Sequence, residues 1–304
     1  MGRRLIREPS IQTPSDIYAA LTAASGEDLA IAAAATLAGG RAAMGFYGRD
    51  DLAVEDPTGR GPVTAADRAS QAAILDVLDR ERAGERVLSE EAPPPTGPSE
   101  PRLWVVDPLD GTREFIDRIG EFSVMVGLAV DGQARLGAVY QPATGRLFAG
   151  AVGDGAWVFG TESDSALAPL SVGKVHEPLR FVRSRSHPDE RIRRLEAALG
   201  DVEVILSGSA GSKCALVASG AADLYVHPVP YLKEWDTCAP EAMLRAAGGR
   251  VTDCEGEALR YGKIHPAQPG GIFAAHPAAW EYALPIVREI ANGTASEGKG
   301  VESK

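Results

Sequence analysis

Apolar residues recur at helical spacing near the start of the chain and in strand-like runs further on. In the first 82 residues the spacing predicts three helices: one that Ser15-Asp16 would cap, one over 28–44 that Gly45 ends, and one over 68–82. Between residues 122 and 159, apolar runs are separated by the turn pairs Asp131-Gly132, Thr144-Gly145 and Asp154-Gly155. This part of the chain therefore predicts an antiparallel meander flanked by the N-terminal helices.

The pattern of apolar and polar residues changes after the aperiodic segment 161–170, which we interpret as a domain boundary. Beyond it strands and helices alternate, which is typical of α/β layering. The predicted strands cover 180–183, 202–206, 223–226, 249–252 and 271–275, and the predicted helices cover 188–199, 212–219, 237–247 and 277–290.

Together, the patterns of the N-terminal and C-terminal parts predict the fold class: α/β, in a layered α+β form with alternating helix and sheet layers. We expect an N-terminal α+β domain over 15–160 with a mostly antiparallel sheet, and a smaller C-terminal α/β domain over 170–291. The polar ends, 1–14 and 292–304, are predicted to be disordered.

One stretch joins an apolar run to two carboxylates: Trp104-Val-Val-Asp107-Pro-Leu-Asp110-Gly111-Thr112. Pro108 cannot donate to a strand ladder, so we expect the strand to stop there and to leave both carboxylates on a rigid turn. Two nearby like charges repel unless a cation lies between them, and Mg²⁺ is the usual hard cation in phosphate chemistry. Gly111 and Thr112 could then present N–H groups to an anion. The alternative is a capped turn with its carboxylates in water.

Three further acidic positions each have a functional and a structural interpretation. Asp67 could act together with the central stretch, or it could close a capping box with Thr64. Glu90-Glu91 follows a short apolar run, so it could deliver a carboxylate to a loop or form a solvated acidic turn. Asp236 stands before a predicted helix with Pro240 in its first turn, where it could bind a metal, act as the N-cap, or do both.

Composition restricts the class of protein. The chain has 304 residues, enough for one large or two modest domains, with 44% apolar and 24% charged residues. Its net charge of −11 argues against nucleic-acid or membrane partners, and an anionic substrate would require metal ions to invert the local field. Cysteines 214, 238 and 254 predict neither a disulfide framework nor a zinc site, which fits a cytoplasmic protein. We expect no signal peptide, because no apolar core follows the basic residues near the start at the right distance, and the apolar run 29–38 is too short to cross a membrane.

Four stretches, in this order, make the sequence resemble the inositol monophosphatase superfamily of Mg²⁺-dependent phosphatases. They are Val63-Thr64-x-x-Asp67, Glu90-Glu91, Asp107-Pro-Leu-Asp110-Gly-Thr112 and Trp235-Asp236-x-x-Ala239. The resemblance covers about residues 25–290. The sequence departs from the family pattern at Arg60, where many relatives carry a lysine, and in the turn 56–59.

The resemblance implies two or three Mg²⁺ ions and an in-line attack by a metal-activated water. The implied metal ligands are Glu90, Asp107, the Leu109 carbonyl, Asp110 and Asp236. Glu90 would hold the ion that carries the nucleophilic water, while Asp67 and Thr112 would orient this water and help to remove its proton. The amides of Gly111 and Thr112 would hold the phosphate oxygens. Li⁺ and Ca²⁺ are expected to inhibit.

Within this superfamily the sequence resembles the 3′(2′),5′-bisphosphate nucleotidases. The stretches that carry this resemblance are 111–116, 120–123, 184–187, 208–213 and 234–241. A bisphosphate needs a second anion pocket, and the residues that would bind the substrate beside Gly111, Thr112 and Asp236 are Arg185, Ser186, His187, Gly208, Ser209 and Lys213. The alternatives are a strand exit with a helix cap over 184–187, in which His187 itself caps the next helix, and a solvated surface lysine at 213.

The implied activity removes the 3′-phosphate from adenosine 3′,5′-bisphosphate, a by-product of sulfate activation and sulfotransfer, to give AMP and phosphate. The expected partner is this small phosphate ester, with no nucleic acid and no membrane, and the expected state is a monomer or homodimer. Two other functions stay open: an inositol or fructose bisphosphate phosphatase with the same metals, and a non-catalytic regulator that keeps the fold. Competent side chains fill every implied ligand position, which argues against the regulator.

Overall fold

The structure is a computed structural model of the 304-residue chain. It describes residues 14–49, 51–52, 54–55, 63–95, 100–160 and 167–293. Most of the ends predicted to be disordered lie outside these residues, as do Arg60, the turn 56–59 and residues 161–166 of the predicted domain boundary. Pro14 and Asn292, which the sequence assigned to the disordered ends, are helical.

The described residues form eight helices and twelve strands. The helices are α1 (Pro14–Ser25), α2 (Glu27–Met44), α3 (Ala65–Glu81), α4 (Thr112–Ile116), α5 (Glu190–Leu199), α6 (Ala210–Ala218), α7 (Glu234–Ala246) and α8 (Pro277–Asn292). The strands are β1 (Val87–Ser89), β2 (Arg102–Asp110), β3 (Ser123–Val130), β4 (Gln133–Gln141), β5 (Arg146–Ala151), β6 (Gly155–Gly160), β7 (Ala168–Pro169), β8 (Leu179–Ser184), β9 (Val202–Ser207), β10 (Leu224–His227), β11 (Arg250–Thr252) and β12 (Ile272–Ala275).

The strands form two sheets. The N-terminal sheet has seven strands in the order β1 to β7, and all its neighbours are antiparallel except β1, which is parallel to β2. The C-terminal sheet has five strands in the order β11-β12-β10-β8-β9. In it β8 is parallel to β9 and β10, whereas β12 is antiparallel to β10 and β11. The predicted antiparallel meander is therefore confirmed.

Helices and sheets alternate in five layers. Helices α1 to α3 cover the outer face of the N-terminal sheet, in a core that includes Leu29, Ile74 and Trp104. Helices α6 and α7 fill the space between the two sheets. Helices α5 and α8 cover the outer face of the C-terminal sheet, around Phe181 and Phe273. The layered α/β class is confirmed, and because the core between the sheets includes residues of both halves, α6 and α7 connect the two predicted domains.

All three cysteines are free thiols in buried positions. None of the helices in the described ranges has the length and apolar character needed to cross a bilayer.

The strand that carries the central stretch does not stop at Pro108, so this expectation was wrong. Strand β2 continues to Asp110, and its pairing with β3 shifts register between Asp107 and Asp110. Such a bulge accommodates proline, because an extra residue on one strand needs no ladder partner. The Pro108 carbonyl instead accepts a hydrogen bond from Ser70 Oγ at 2.7 Å.

Helix α7 begins at Glu234, three residues before its predicted start at Thr237. Its N-cap is Lys233, so the proposed N-cap role of Asp236 was wrong: Asp236 is the third helical residue. Pro240 lies in the helix interior rather than in the first turn. Since proline lacks an N–H, the helical ladder supplies no donor to the Asp236 carbonyl.

We expect Phe181→Ala to destabilise the protein by about 3–5 kcal/mol, because the side chain is fully buried and its loss leaves a cavity. Ile264→Ala is the control: Ile264 is 90% exposed, and its replacement should change the free energy of unfolding by less than about 0.5 kcal/mol. Urea denaturation measures both. Equal effects of the two substitutions would contradict the assignment of Phe181 to the core.

Candidate metal-dependent active site

Three carboxylates from two elements meet at one end of the N-terminal sheet. Asp107 and Asp110 come from the end of β2, and Asp236 comes from the first turn of α7. One carboxylate oxygen of each lies within 4.8 Å of the others. Asp107 is buried, whereas Asp110 and Asp236 are partly exposed. An all-oxygen donor set of this size fits a hard divalent cation.

The bulge in β2 and the N-terminus of α6 orient the two aspartates of the central stretch. Asp107 Oδ1 accepts a hydrogen bond from the Leu109 amide at 3.0 Å. Asp110 Oδ2 accepts hydrogen bonds from Ser209 Oγ at 2.6 Å and from the Gly211 amide at 2.8 Å. Because these donors engage a single oxygen of each carboxylate, the other oxygen stays available for a ligand.

Helix α7 orients the third carboxylate. Asp236 Oδ2 accepts a hydrogen bond from the Lys233 amide at 2.5 Å, as an acidic residue in the first turn often does. This bond fixes the side chain against the N-terminus of its own helix. Capping and a place in the acidic cluster therefore coexist at Asp236.

Loss of water and mutual repulsion raise the pKa of these carboxyls. Burial, followed by the nearby Asp110, raises the pKa of Asp236 to about 7. Burial also raises the pKa of Asp110, while the Lys213 ammonium and the hydrogen bond from Ser209 oppose this shift. The pKa of Asp107 lies well above its usual range through burial and then through Glu90. A divalent cation would reverse this repulsion.

Glu90 stands next to this cluster on the loop after β1. Its side chain is open to solvent, but the surrounding protein displaces enough water to raise its pKa well above the usual range. The second cause is the charge of Asp236, followed by the charge of Glu91. Four of the predicted metal ligands therefore lie close enough to influence one another, although the ion that each would hold stays a prediction.

Asp67 connects the start of α3 to the start of α4. Its Oδ2 accepts hydrogen bonds from the Thr64 amide at 2.7 Å and from Thr64 Oγ1 at 2.6 Å, which completes the capping box. Its Oδ1 accepts a hydrogen bond from Thr112 Oγ1 at 3.1 Å. Thr112 Oγ1 is also 3.1 Å from the Leu109 carbonyl oxygen. The capping interpretation of Asp67 is therefore confirmed, together with direct contact to the central stretch.

Gly111 makes the turn between β2 and α4. Its φ of 92° lies in the left-handed region that favours glycine. A side chain there would also place Cβ 3.2 Å from the Glu121 carbonyl oxygen. Gly111 is the N-cap of α4, and the amides at the start of a helix have no intrahelical partner, so the predicted contact of the Gly111 and Thr112 amides with phosphate oxygens stays a prediction.

The residues of the predicted second anion pocket come together, but most already have partners. Arg185 donates two hydrogen bonds to Glu121, at 2.8 and 2.6 Å. Glu121 also accepts one from the Gly208 amide at 2.8 Å. Ser186 Oγ donates to Glu114 at 2.5 Å.

Lys213 is not a solvated surface lysine, and His187 does not cap the next helix, so both structural alternatives were wrong. Lys213 is only 4% exposed and donates to the Gly208 carbonyl, so the interpretation as a solvated surface lysine was wrong. Asp189, not His187, is the N-cap of α5. The His187 amide donates to Ser184 Oγ at 3.2 Å, in a local turn after β8. Loss of water, more than any charge, lowers the pKa of the His187 imidazole.

Sequence reasoning missed the acidic partners of the second pocket. Glu114 and Glu121 lie in the stretches that carry the nucleotidase resemblance, but nothing in the sequence paired them with residues 64 to 87 positions away. It also missed Ser123, whose Oγ is 2.7 Å from Ser209 Oγ. The one available signal was that carboxylates and cations occur in neighbouring motifs of this region.

The sequence matches the model of the inositol monophosphatase family over residues 25–292. It is similar to the 3′(2′),5′-bisphosphate nucleotidase CysQ of Escherichia coli K12, with 39% identity over 225 residues that cover 73% of this chain and 89% of the relative. It is also similar to the 3′-phosphoadenosine 5′-phosphate phosphatase of Mycobacterium leprae, with 32% identity over 275 residues that cover 86% and 94% of the two chains. The solved structure of CysQ from Bacteroides thetaiotaomicron superposes with a TM-score of 0.68 and 32% identity, covering 82% of this chain and 97% of that chain.

We expect Asp236→Asn to stabilise the metal-free protein at pH 8 by about 1–2 kcal/mol, because asparagine keeps an acceptor for the Lys233 amide and removes a repelled charge. The folded pKa of about 7 lies above the ordinary value of 3.8, so folded wild type gains a proton, and stability, as the pH falls through 7. The gain from the substitution should therefore shrink by pH 5.

Urea unfolding in the presence of a chelator measures this difference. Asp117→Asn is the control, because Asp117 is exposed at the end of α4 and should show little change at either pH. A lower stability of Asp236→Asn at pH 8 would contradict the repulsion argument.

Proposed function

The chain belongs to the inositol monophosphatase family, and on that premise we propose that it removes the 3′-phosphate from adenosine 3′,5′-bisphosphate, giving AMP and phosphate in a Mg²⁺-dependent reaction. The observation that carries the proposal is the cluster of Asp107, Asp110 and Asp236, whose oxygen ligands suit Mg²⁺. Two similar proteins are named for this chemistry, one as a 3′(2′),5′-bisphosphate nucleotidase and one as a 3′-phosphoadenosine 5′-phosphate phosphatase.

Five groups would hold two or three Mg²⁺ ions: the carboxylates of Glu90, Asp107, Asp110 and Asp236, and the Leu109 carbonyl. When bound, the ions supply Lewis acidity and lower the pKa of a bound water. Asp107 would hold an ion together with Asp110 and Asp236, because one oxygen of each carboxylate lies within 4.8 Å of the others. The Leu109 carbonyl keeps a free lone pair beside its contact with Thr112.

The chain's own contribution to proton transfer comes from Asp67 and Thr112. Thr112 Oγ1 carries one proton and has both Asp67 Oδ1 and the Leu109 carbonyl within reach. When it donates to Asp67, its lone pairs can accept a hydrogen bond from the attacking water and orient it. Burial raises the pKa of Asp67, which makes its carboxylate a stronger base.

The phosphate to be cleaved would lie against the amides of Gly111 and Thr112. Gly111 is the N-cap and Thr112 the first residue of α4, and amides at the start of a helix have no intrahelical partner. Donors placed in this way stabilise the charge that develops on the transferring phosphoryl group.

The second phosphate of the substrate would bind near the residues of the predicted second anion pocket, which are Arg185, Ser186, His187, Gly208, Ser209 and Lys213. Arg185 is suited to this role because its guanidinium can bind phosphate through two parallel hydrogen bonds. It now makes that arrangement with Glu121, so substrate binding requires an exchange of partners. Lys213 is buried and would act mainly through its charge.

Inositol monophosphate is the second candidate substrate, because the family takes its name from that activity. Glu114 and Glu121 offer carboxylates that could accept hydroxyl groups. Both already accept hydrogen bonds from Ser186, Arg185 or Gly208, which favours the nucleotide. The cytoplasmic location, the monomeric or homodimeric state, the division into an N-terminal and a C-terminal domain, and inhibition by Li⁺ and Ca²⁺ stay predictions.

We expect the chain with Mg²⁺ to hydrolyse adenosine 3′,5′-bisphosphate at least about tenfold better than inositol 1-phosphate, measured as kcat/KM by phosphate release. Asp110→Asn should lower kcat/KM by about 10³-fold, because it removes a metal-binding charge. Asp117→Asn, an exposed acidic residue outside the cluster, should leave it unchanged. A preference for inositol 1-phosphate would refute the nucleotide assignment and leave the metal site intact.

We expect Arg185→Ala to lower kcat/KM for adenosine 3′,5′-bisphosphate by about tenfold and to affect 3′-AMP much less, since 3′-AMP lacks the 5′-phosphate. The matched control is Arg193→Ala, whose exposed guanidinium pairs with Glu190 on α5. A uniform loss on both nucleotides would show that Arg185 acts on the fold through Glu121 and not on the second phosphate.

A further inference from the structure

Three glycines lie side by side across the N-terminal sheet, beneath helix α7. Gly127 of β3 pairs with Gly137 of β4, and Gly137 pairs with Gly150 of β5. Their neighbours Met125 and Val139 point into the layer that α6 and α7 occupy, so the glycines face this layer too. We call Gly127, Gly137 and Gly150 the glycine row.

Helix α7 lies so close to the sheet that a side chain does not fit at these positions. A Cβ on Gly137 would lie 2.3 Å from the carbonyl oxygen and 2.5 Å from the Cα of Ala239. A Cβ on Gly127 would lie 2.8 Å from the Ala239 amide nitrogen and 2.9 Å from Cys238 Sγ. Most of these are backbone atoms, which cannot rotate away, so the helix itself would have to move.

The contact lies one helical turn from the acidic cluster. On α7, Ala239 follows Asp236 by three residues. On the sheet, Gly127 pairs with Val105, which is two residues before Asp107. Gly127 and Gly137 therefore contact α7 close to the place where the carboxylates of β2 meet the carboxylate of α7.

The N-terminus of α7 is also held by a second contact, at Glu234. Glu234 is completely buried and accepts hydrogen bonds from the amides of Gly262, at 2.7 Å, and of Lys263, at 3.0 Å. A helix held at its end and pushed from the sheet must change the position of the residues between these two contacts. Asp236 is one of those residues.

We propose that Gly127 and Gly137 are positioning residues for the metal site: they let α7 approach the sheet and so set the distance between Asp236 and the aspartates of β2. The inference rests on the proposed function, because it assumes that the cluster binds Mg²⁺. Mg²⁺ requires near-ideal octahedral geometry at about 2.0–2.1 Å, so a shift of about 1 Å in one ligand matters.

Gly150 provides an internal comparison. Its Cβ would lie 2.8 Å from the Cβ of Ala246 and 3.2 Å from the Cα of Met243. These contacts are also with α7, but at its C-terminal half, two turns or more from Asp236. A substitution at Gly150 should therefore disturb the packing of the same helix on the same sheet without displacing the acidic cluster.

The experiment compares Gly137→Ala, Gly127→Ala and Gly150→Ala in the full chain. Isothermal titration calorimetry with Mg²⁺ measures the affinity of the site, and thermal unfolding in a chelator measures the stability of the fold. We expect Mg²⁺ affinity to fall by about 10–100-fold in Gly137→Ala and by a smaller factor in Gly127→Ala, whose steric conflict is milder. All three should lose thermal stability, but Gly150→Ala should keep Mg²⁺ affinity within about twofold of wild type.

Three results would overturn the proposal. Wild-type Mg²⁺ affinity in folded Gly137→Ala and Gly127→Ala would do so, as would an equal loss of affinity in Gly150→Ala. Failure of both Gly137→Ala and Gly127→Ala to fold would assign the glycine row a purely structural role. Failure of the proposed function is distinguishable, because wild type itself would then neither bind Mg²⁺ nor release phosphate.

Discussion

Mutual repulsion between carboxylates is the constraint on which the rest of the structure depends. Asp107, Asp110 and Asp236 each place an oxygen within 4.8 Å of the others, and burial raises the pKa of all three. Free side chains would turn apart, but a backbone amide holds each of these in place. The three amides belong to Leu109, Gly211 and Lys233. The fold thus maintains an arrangement that is unfavourable alone and becomes favourable with a cation.

The five-layer architecture explains how such an arrangement can be built. The two central helices, α6 and α7, both begin near the end of β2, so their first turns face the same group of carboxylates. Asp110 accepts a hydrogen bond from the Gly211 amide of α6, and Asp236 lies in the first turn of α7. The positive end of a helix dipole favours a nearby anion by about 0.3–1 kcal/mol, which offsets part of the repulsion. The packing of the layers therefore determines the electrostatics of the site.

The sequence predicted the long elements well, because their periodicity does not depend on tertiary contacts. It was wrong at Pro108 and at the start of α7, the two places where the backbone positions the carboxylates. A bulge lets β2 continue past Pro108, and buried contacts of Glu234 with Gly262 and Lys263 add a turn to α7. Local propensity could not predict either feature, since both depend on residues distant in sequence. The acidic residues themselves were identifiable, but their partners were not.

Arg185 and Lys213, the two cations expected in the second anion pocket, also have partners that the sequence did not identify. Arg185 lies at the surface and pairs with Glu121, a contact that water screens and a phosphate can replace. Lys213 is buried, donates to the Gly208 carbonyl and stands over the Tyr225 ring, with Nζ 5.1 Å from its centroid. Because the Gly208 amide still holds Glu121 when Arg185 turns away, that carboxylate stays beside the pocket. Glu121 repels an anion there, so the second phosphate of the proposed substrate would need the positive charges of Arg185 and Lys213 to outweigh this carboxylate.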